Sequence, residues 1–282
     1  MGLTVFVALV AAVAVVAWWL THPGSGDSTA PVAAPAVGSC WDVSEQTVAT
    51  AYPWPGRPVA CSVRHTAEVY HVGRAADDLI ARLRRVRGSD ARVIQTLMDA
   101  QARRACVVLA SSYLGGDWHA TRVEVVADWI RPASRGHYGC ALVEAPAPAS
   151  KRLVARTAGL RGALAGGGGG LAAGCVTRDG TARVYSACDA PHDGEFVGSY
   201  TITPPDAPFD RQKVTEAATH GCDLLLTRYV GASRTELRAA YVGPTAARDW
   251  LGSDQTFACY GMATGTAPLT RSIKDLGAAA LR

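Results

Sequence analysis

The apolar and polar positions divide the chain into one uninterrupted apolar run and a long mixed remainder. The run extends from Leu3 to Leu20, LTVFVALVAAVAVVAWWL, and has no charged side chain. A helix needs about 20 apolar residues to cross a bilayer core, and Trp18 and Trp19 stand where interfacial aromatic residues occur. The pattern predicts a transmembrane helix within residues 1–22. A cleaved signal peptide is the alternative, but such peptides have basic residues before the apolar run, and this chain has none.

Four later stretches have the β-branched and aromatic composition of strands. They are EVYHVG from Glu68, GHYGCALVEA from Gly136, EFVGSYTI from Glu195 and QTFACYGMA from Gln255. Each stretch is short, and turn-forming residues lie near it. The pattern therefore predicts small sheets, mainly antiparallel.

Two longer stretches repeat apolar residues at helical spacing. Residues 89–115 are predicted to form a helix with Ser89 as its N-cap, and residues 210–231 form the second. Gly115 and Gly231 end them, because glycine adopts the left-handed conformation without a steric penalty. A basic insert, ADDLIARLRRVRG, precedes the first helix and predicts a further helix with a solvated arginine face. The predicted apolar stripes contain Val93, Ile94, Leu97, Met98 and Ala100 in the first helix, and Val214, Ala217, Ala218 and Leu225 in the second.

An ordered set of residues occurs twice at identical spacing. The set consists of Cys-x3-His-x2-Glu at Cys61, His65, Glu68 and at Cys188, His192, Glu195, followed by Cys-x6-Tyr-x-Gly at Cys106, Tyr113, Gly115 and at Cys222, Tyr229, Gly231. Two such matches indicate an internal duplication. We therefore predict an α+β fold of two duplicated modules stapled by disulfides, each with one main helix on a small sheet.

The composition sets the module boundaries. A Pro/Gly/Ser-rich tether covers 23–37, and a Pro/Ala- and Gly-rich linker covers 145–173. The first module then spans 38–144, the second spans 174–265, and a tail covers 266–282. We use these names for the same residue ranges throughout.

The eight cysteines place the modules outside the cytoplasm. All follow the apolar run and none forms a CxxC pair, which argues against a zinc ribbon or a thioredoxin-like site. An even number at wide spacing favours disulfides, and these persist in oxidising compartments. The duplication favours pairing within modules, and we predict the pairs Cys40–Cys61, Cys106–Cys140, Cys175–Cys188 and Cys222–Cys259. The predicted location is a cell membrane, single-pass, with both modules extracytoplasmic.

The repeated Cys/His/Glu motif permits three interpretations. A metal site needs its ligands on one face, yet the residues after each motif favour strand, where positions i and i+3 point to opposite faces. An oxidised cysteine is neither a thiolate ligand nor a nucleophile. His65, Glu68, His192 and Glu195 are therefore interpreted as turn-stabilising pairs or as a docking surface, and we predict no catalytic residue, metal or cofactor. No G-x-S-x-G elbow or complete phosphate-binding loop occurs, and the formal net charge of +4 does not indicate nucleic-acid binding.

The layout resembles the septum formation domain family. The resemblance rests on Gly174-Cys175, on Pro191 before His192, on the two Cys-x6-Tyr-x-Gly helices and on the ending GPTAARDWLGSDQTFAC. It covers residues 38–144 and 174–263 as two copies, although the first copy has Arg64 in place of the proline. The resemblance implies a membrane-anchored bacterial envelope protein with a role in septation or envelope assembly, and it implies no reaction.

These features together predict a non-enzymatic binding or scaffold protein. Its expected partners are the membrane, through the N-terminal helix, and proteins of the envelope or of the division machinery. The alternative is an envelope hydrolase, or a regulator of one, that uses a cleft between the modules. A deep cleft holding a His/carboxylate pair near a hydroxyl group would favour that alternative.

Overall fold

Two antiparallel sheets, each with a long helix on one face, form the described part of the chain. The computed structural model describes residues 33–131, 135–167, 170–180, 182–204 and 207–281. Among these residues, no helix is long and apolar enough to cross a membrane. The predicted anchor, residues 1–22, lies outside the described ranges.

The first module contains a four-stranded sheet with the strand order β1-β2-β4-β3. The strands are Cys40–Trp41 (β1), Ala67–Arg74 (β2), Val123–Trp129 (β3) and His137–Glu144 (β4). The helices are Glu45–Val48 (α1), Asp77–Arg85 (α2) and Gly88–Leu114 (α3), with a 3-10 helix at Trp118–Ala120. The basic insert thus forms α2, as predicted.

The second module contains a five-stranded sheet with the order β6-β5-β7-β9-β8. The strands are Cys175–Asp179 (β5), Ala182–Ser186 (β6), Gly194–Thr201 (β7), Leu237–Val242 (β8) and Thr256–Ala263 (β9). The helices are Arg211–Val230 (α4) and Ala247–Leu251 (α5).

The two sheets repeat one topology. Strands β1, β2, β4 and β3 correspond in order to β5, β7, β9 and β8, and every pairing is antiparallel. A register shift after Val69 in β2 has its counterpart after Phe196 in β7. Since each shift follows the motif glutamate by one residue, the repeat extends to the irregularities of the strands.

The main helices end as predicted but begin differently. Gly115 and Gly231 cap α3 and α4 with φ values of 77° and 80°, in the left-handed region. Helix α3 starts at Gly88 after Arg87, so the prediction of Ser89 as the N-cap is wrong. In α4, Asp210 caps the helix by accepting hydrogen bonds from two backbone amides.

The predicted apolar stripe of α3 is only partly correct. The buried residues run along a different line of the helix, whereas Val93 and Leu97 are exposed. Helix α2 packs against the N-terminal part of α3, and Ile80 and Met98 are buried there. Val93 is not part of this buried cluster. The buried residues of α3 are Met98, Ala102, Cys106, Val107, Ala110 and Leu114.

All eight cysteines form disulfides in the predicted pairs. In each module one disulfide joins the first strand to the turn before the His/Glu motif. The other joins the main helix to the last strand of the module. Cys106, Cys140, Cys222 and Cys259 are all fully buried, so the second type of disulfide lies in the core of its module.

The linker and the tail both pack onto the modules that precede them. Leu160 of the linker belongs to the core of the first module, and Leu269 and Ile273 of the tail belong to the core of the second. Arg156 exchanges two backbone hydrogen bonds with His65, as Leu269 does with His192. The repeated unit therefore includes a returning segment after its last strand.

Candidate functional site

The motif histidines and glutamates lie inside their modules. His65 and His192 are 0% exposed, and Glu68 and Glu195 are 2% exposed. In this position their side chains contact the protein's own groups rather than solvent. Of the two interpretations of these four residues, burial favours the structural one.

Each buried glutamate fastens the main helix and the returning segment of its module. The Tyr113 hydroxyl donates to Glu68 Oε1 at 2.5 Å, and the Leu160 amide donates to Oε2 at 2.6 Å. Burial, together with the neighbouring Glu68, raises the pKa of Tyr113 to about 12, so the hydroxyl remains a donor. The spacing of the motif thus places one carboxylate where it holds three chain segments together.

The second module repeats this arrangement around Glu195. Its partners are the Tyr229 hydroxyl at 3.2 Å, the Ser272 hydroxyl at 2.9 Å and the Ile273 amide at 3.0 Å. The tyrosines that the sequence placed in the Cys-x6-Tyr-x-Gly pattern are therefore partners of the glutamates in Cys-x3-His-x2-Glu.

The two histidines differ at one ring nitrogen. Nδ1 lies 2.8 Å from the carbonyl oxygen two residues earlier in both cases, at Val63 and Ala190. His192 Nε2 also lies 3.1 Å from Glu195 Oε1, and that contact needs a proton on one of the two groups. His65 Nε2 is buried without a hydrogen-bond partner among the described residues.

Cysteine oxidation decides the metal-binding question for these clusters. Ligand atoms of Cys175, His192 and Glu195 lie within 4.8 Å of one another, as do those of Cys40, Cys61 and Glu68. All these cysteines are in disulfides, and a metal is bound by thiolate sulfur. Neither cluster therefore offers a cysteine ligand in this state.

A separate cleft lies between the two modules. It has a volume of about 480 Å³ and is lined by residues of the first module, the linker and the second module. This volume is in the range of small-molecule sites. On the second module the wall is the β9 face that carries Thr256, Ala258 and Tyr260. Helix α4 packs on the other face, because successive strand residues point to opposite sides.

His119 joins the modules at the edge of this cleft. Its Nδ1 lies 3.0 Å from Asp117 Oδ1, and its Nε2 lies 3.3 Å from Asp254 Oδ1 in the second module. The Ser199 hydroxyl, also in the second module, donates to Asp117 Oδ2 at 2.6 Å. Two carboxylates thus hold one imidazolium ring across the boundary.

The electrostatics of this cluster favour the charged state of all three groups. Burial alone would lower the pKa of His119, but the hydrogen bonds to Asp117 and Asp254 outweigh it and raise the pKa to about 9. Burial acts in the opposite sense on the two aspartates, yet the pKa of each stays below its usual value because His119 donates to it. We call Asp117, His119 and Asp254 the intermodule clamp.

Glu124 supplies a carboxylate to the interior of the cleft. It lies on β3, and its Oε1 accepts a hydrogen bond from the Ala149 amide of the linker at 3.1 Å. Burial raises the pKa of Glu124 despite this bond and the nearby Arg103. Glu124 in turn contributes to the raised pKa values of Tyr185 and Tyr260, whose main cause is burial. These three side chains are therefore close enough to interact electrostatically.

The sequence interpretation did not include the residues of the cleft. Asp117 and His119 follow Gly115 in the sequence GDWH, whereas the second module has ASRT after Gly231. The signal that could have identified them is this departure from the repeat. Asp117 and His119 have no equivalents in the second module, so the repeated fold of the modules does not account for them.

Comparison with known families gives one match, which assigns the chain. The family described as Septum formation matches residues 37–259, a range that includes most of both modules and the whole linker. The chain therefore belongs to the septum formation family. The match is a single one over both modules, whereas the sequence suggested two copies. Membership indicates a role in septum formation or in the cell envelope. No curated protein and no solved structure matches the chain.

Proposed function

We propose that this protein is a membrane-anchored, non-catalytic binding component of the extracytoplasmic envelope that acts in septation. The observation that carries the proposal is the cleft of about 480 Å³, whose walls come from both modules and the linker. A ligand in this cleft contacts both halves of the duplication at once. Such a site gives a reason for keeping two modules in fixed contact.

The covalent structure supports the location. Four disulfides in a chain of 282 residues suit an oxidising compartment. The apolar run at residues 3–20 supplies the proposed anchor.

The geometry of His119 supports a non-catalytic role. A general base needs one free ring nitrogen within reach of the proton that it removes. Both nitrogens of His119 face carboxylate oxygens, at 3.0 and 3.3 Å. The ring is therefore held as a charged link between the modules and has no site left for a proton.

An envelope hydrolase is the second candidate. The observation in its favour is the one that the sequence analysis named, a His/carboxylate pair with hydroxyl groups in the same cleft, here His119, Asp254 and Ser253. Release of product from isolated envelope by the purified full chain would support this candidate, provided that a Ser253→Ala variant releases none. Equal release by the variant would argue against it.

The proposed function is tested by filling the cleft with a larger side chain and measuring the spacing of septa in cells. In the source bacterium the chromosomal gene is replaced by versions carrying Ala258→Trp or Ser150→Trp, both of which project into the cleft. The matched control is Thr219→Trp, on the exposed surface of α4. We expect wider septum spacing in both cleft variants and normal spacing in the control.

Folding is checked by mapping the four disulfides in protein purified from each strain. Normal septum spacing in cells whose cleft-filled protein is correctly folded and present at wild-type amounts would contradict the proposed function. The second cleft variant keeps the test decisive if one of the two substitutions prevents folding.

A further inference from the structure

Six residues that line the intermodule cleft carry hydroxyl groups. They come from both modules and from the linker, and they are Thr121, Ser150, Tyr185, Ser253, Thr256 and Tyr260. Some of them already donate to backbone carbonyls, as Thr121 does to Trp118 and Ser253 does to Trp250. A hydroxyl that donates in this way can still accept a hydrogen bond from a ligand, so the lining suits a ligand with several donor groups.

The charges of the lining balance. Among the residues that line the cleft, His119 and Asp254 carry opposite charges. The remaining charged groups are Arg103 and Lys151 on one side and Glu124 and Asp249 on the other. A site built to attract an anion or a cation has an excess of one sign. This balance favours a ligand without net charge.

Glu124 provides a carboxylate acceptor in the interior of the cleft. One carboxylate oxygen already accepts the Ala149 amide, and a carboxylate has further lone pairs for donors. Hydrogen bonds to an ionised acceptor are about twice as strong as those between neutral groups. A ligand hydroxyl or amide N–H that reaches Glu124 would therefore be bound more firmly than by the neutral hydroxyls alone.

Apolar side chains complete the walls. Trp118, Pro148 and Val242 line the same cavity. A sugar ring has polar hydroxyls at its edge and C–H groups on its faces, and it matches a lining in which hydroxyls and apolar surfaces alternate. A volume of about 480 Å³ is sufficient for about one or two such rings.

We infer that the cleft binds a neutral saccharide, with Glu124 accepting hydrogen bonds from its hydroxyl or acetamido groups. This inference rests on the proposed function, because it names the ligand class of the same site.

The experiment titrates defined sugars into the full chain held in lipid nanodiscs, which avoid sugar-headed detergents. The probes are the β-1,4-linked tetramers of glucose and of N-acetylglucosamine, and the competitors are inorganic phosphate and an acetylated, amidated alanine tripeptide. Calorimetry measures the dissociation constant of each. We expect one or both tetramers to bind and neither competitor to do so.

Two variants locate the binding. Glu124→Gln keeps the shape of the side chain but removes its charge, and we expect it to weaken saccharide binding by about tenfold or more. Glu216→Gln, on the exposed surface of α4, is the matched control and should bind as the wild type does. Equal affinity of Glu124→Gln and the wild type would overturn the inference, as would binding of phosphate or of the peptide but of neither sugar.

The outcomes also separate this inference from the proposed function. If no sugar binds while the cleft-filled strains still have widened septum spacing, the ligand class is wrong and the binding function stands. If a sugar binds through Glu124 while the cleft-filled strains divide normally, the cleft is a saccharide site but the proposed role in septation is wrong.

Discussion

Single buried side chains in this protein hold separate chain segments together. Glu68 and Glu195 each accept hydrogen bonds from a tyrosine hydroxyl of the main helix and from a backbone amide of a returning segment. His119 does the same between modules through two aspartates. The repeated carboxylates therefore organise each module, and the unrepeated histidine organises the pair.

The clamp makes stability depend on pH in the neutral to alkaline range. The pKa of His119 is raised from 6.5 to about 9. A group with a raised pKa contributes its stabilisation fully below pH 6.5, and the contribution is lost as the pH rises through 9. We expect the wild type to exceed His119→Gln by about 2 to 3 kcal/mol in free energy of unfolding at pH 6.5.

Urea unfolding at several pH values checks this prediction. The difference between the two proteins should shrink steadily between pH 6.5 and 9.5. Below pH 3.8 we expect the wild type to lose further free energy of unfolding. The pKa values of Asp117 and Asp254 are lowered in the folded protein, so these carboxylates stabilise the fold only while they are ionised. A difference that stays constant from pH 6.5 to 9.5 would contradict the assignment of a charged His119.

At the scale of elements, the returning segments complete each module. Leu160 and Ile273 are fully buried at matching positions, and the amide of each donates to a motif glutamate. The spacing from Arg156 to Leu160 equals that from Leu269 to Ile273. The linker and the tail are therefore equivalent parts of the repeat.

Truncation of either buried side chain should be costly. We expect Leu160→Ala and Ile273→Ala each to lower the free energy of unfolding by about 2 to 5 kcal/mol, because each leaves a cavity in a packed core. Lys274→Ala, next to Ile273 but exposed, should change it by less than about 0.5 kcal/mol. Urea titration of the three variants measures these differences. Equal stability of Ile273→Ala and Lys274→Ala would mean that the tail does not belong to the module.

The elements that could be predicted from the sequence are those with strong local signals. The duplication limited the disulfides to pairs within each module, and the predicted pairs are confirmed. The ends of the main helices followed from Gly115 and Gly231. The packing of the linker could not be predicted in this way. Its two buried leucines, Leu160 and Leu171, lie among glycines and alanines without periodicity.

The candidate site lay beyond sequence reasoning for a related reason. His119 and Glu124 lie five residues apart in the first module, whereas Asp254 lies in the second module, and the three share no motif. Tertiary contact between the modules brings them to one cleft, and the duplication pointed instead to the residues that both modules share. The repeated residues build the scaffold, whereas the unrepeated residues line the cleft.

In the whole molecule, the two modules form one site only if they stay in fixed contact. Helix α3 contacts α5, and the 3-10 helix of the first module contacts β7 and β9 of the second. The clamp crosses the same boundary. If the modules moved independently, the cleft would have no fixed lining and the proposed ligand site would not exist.

A double-mutant cycle between His119→Gln and Asp254→Asn at pH 6.5 measures whether the two modules form one unit. The free energy of unfolding is measured for the wild type, both single variants and the double variant. We expect a coupling energy of about 1 to 3 kcal/mol between His119 and Asp254. Effects of the two substitutions that simply add, with no coupling energy, would contradict this expectation.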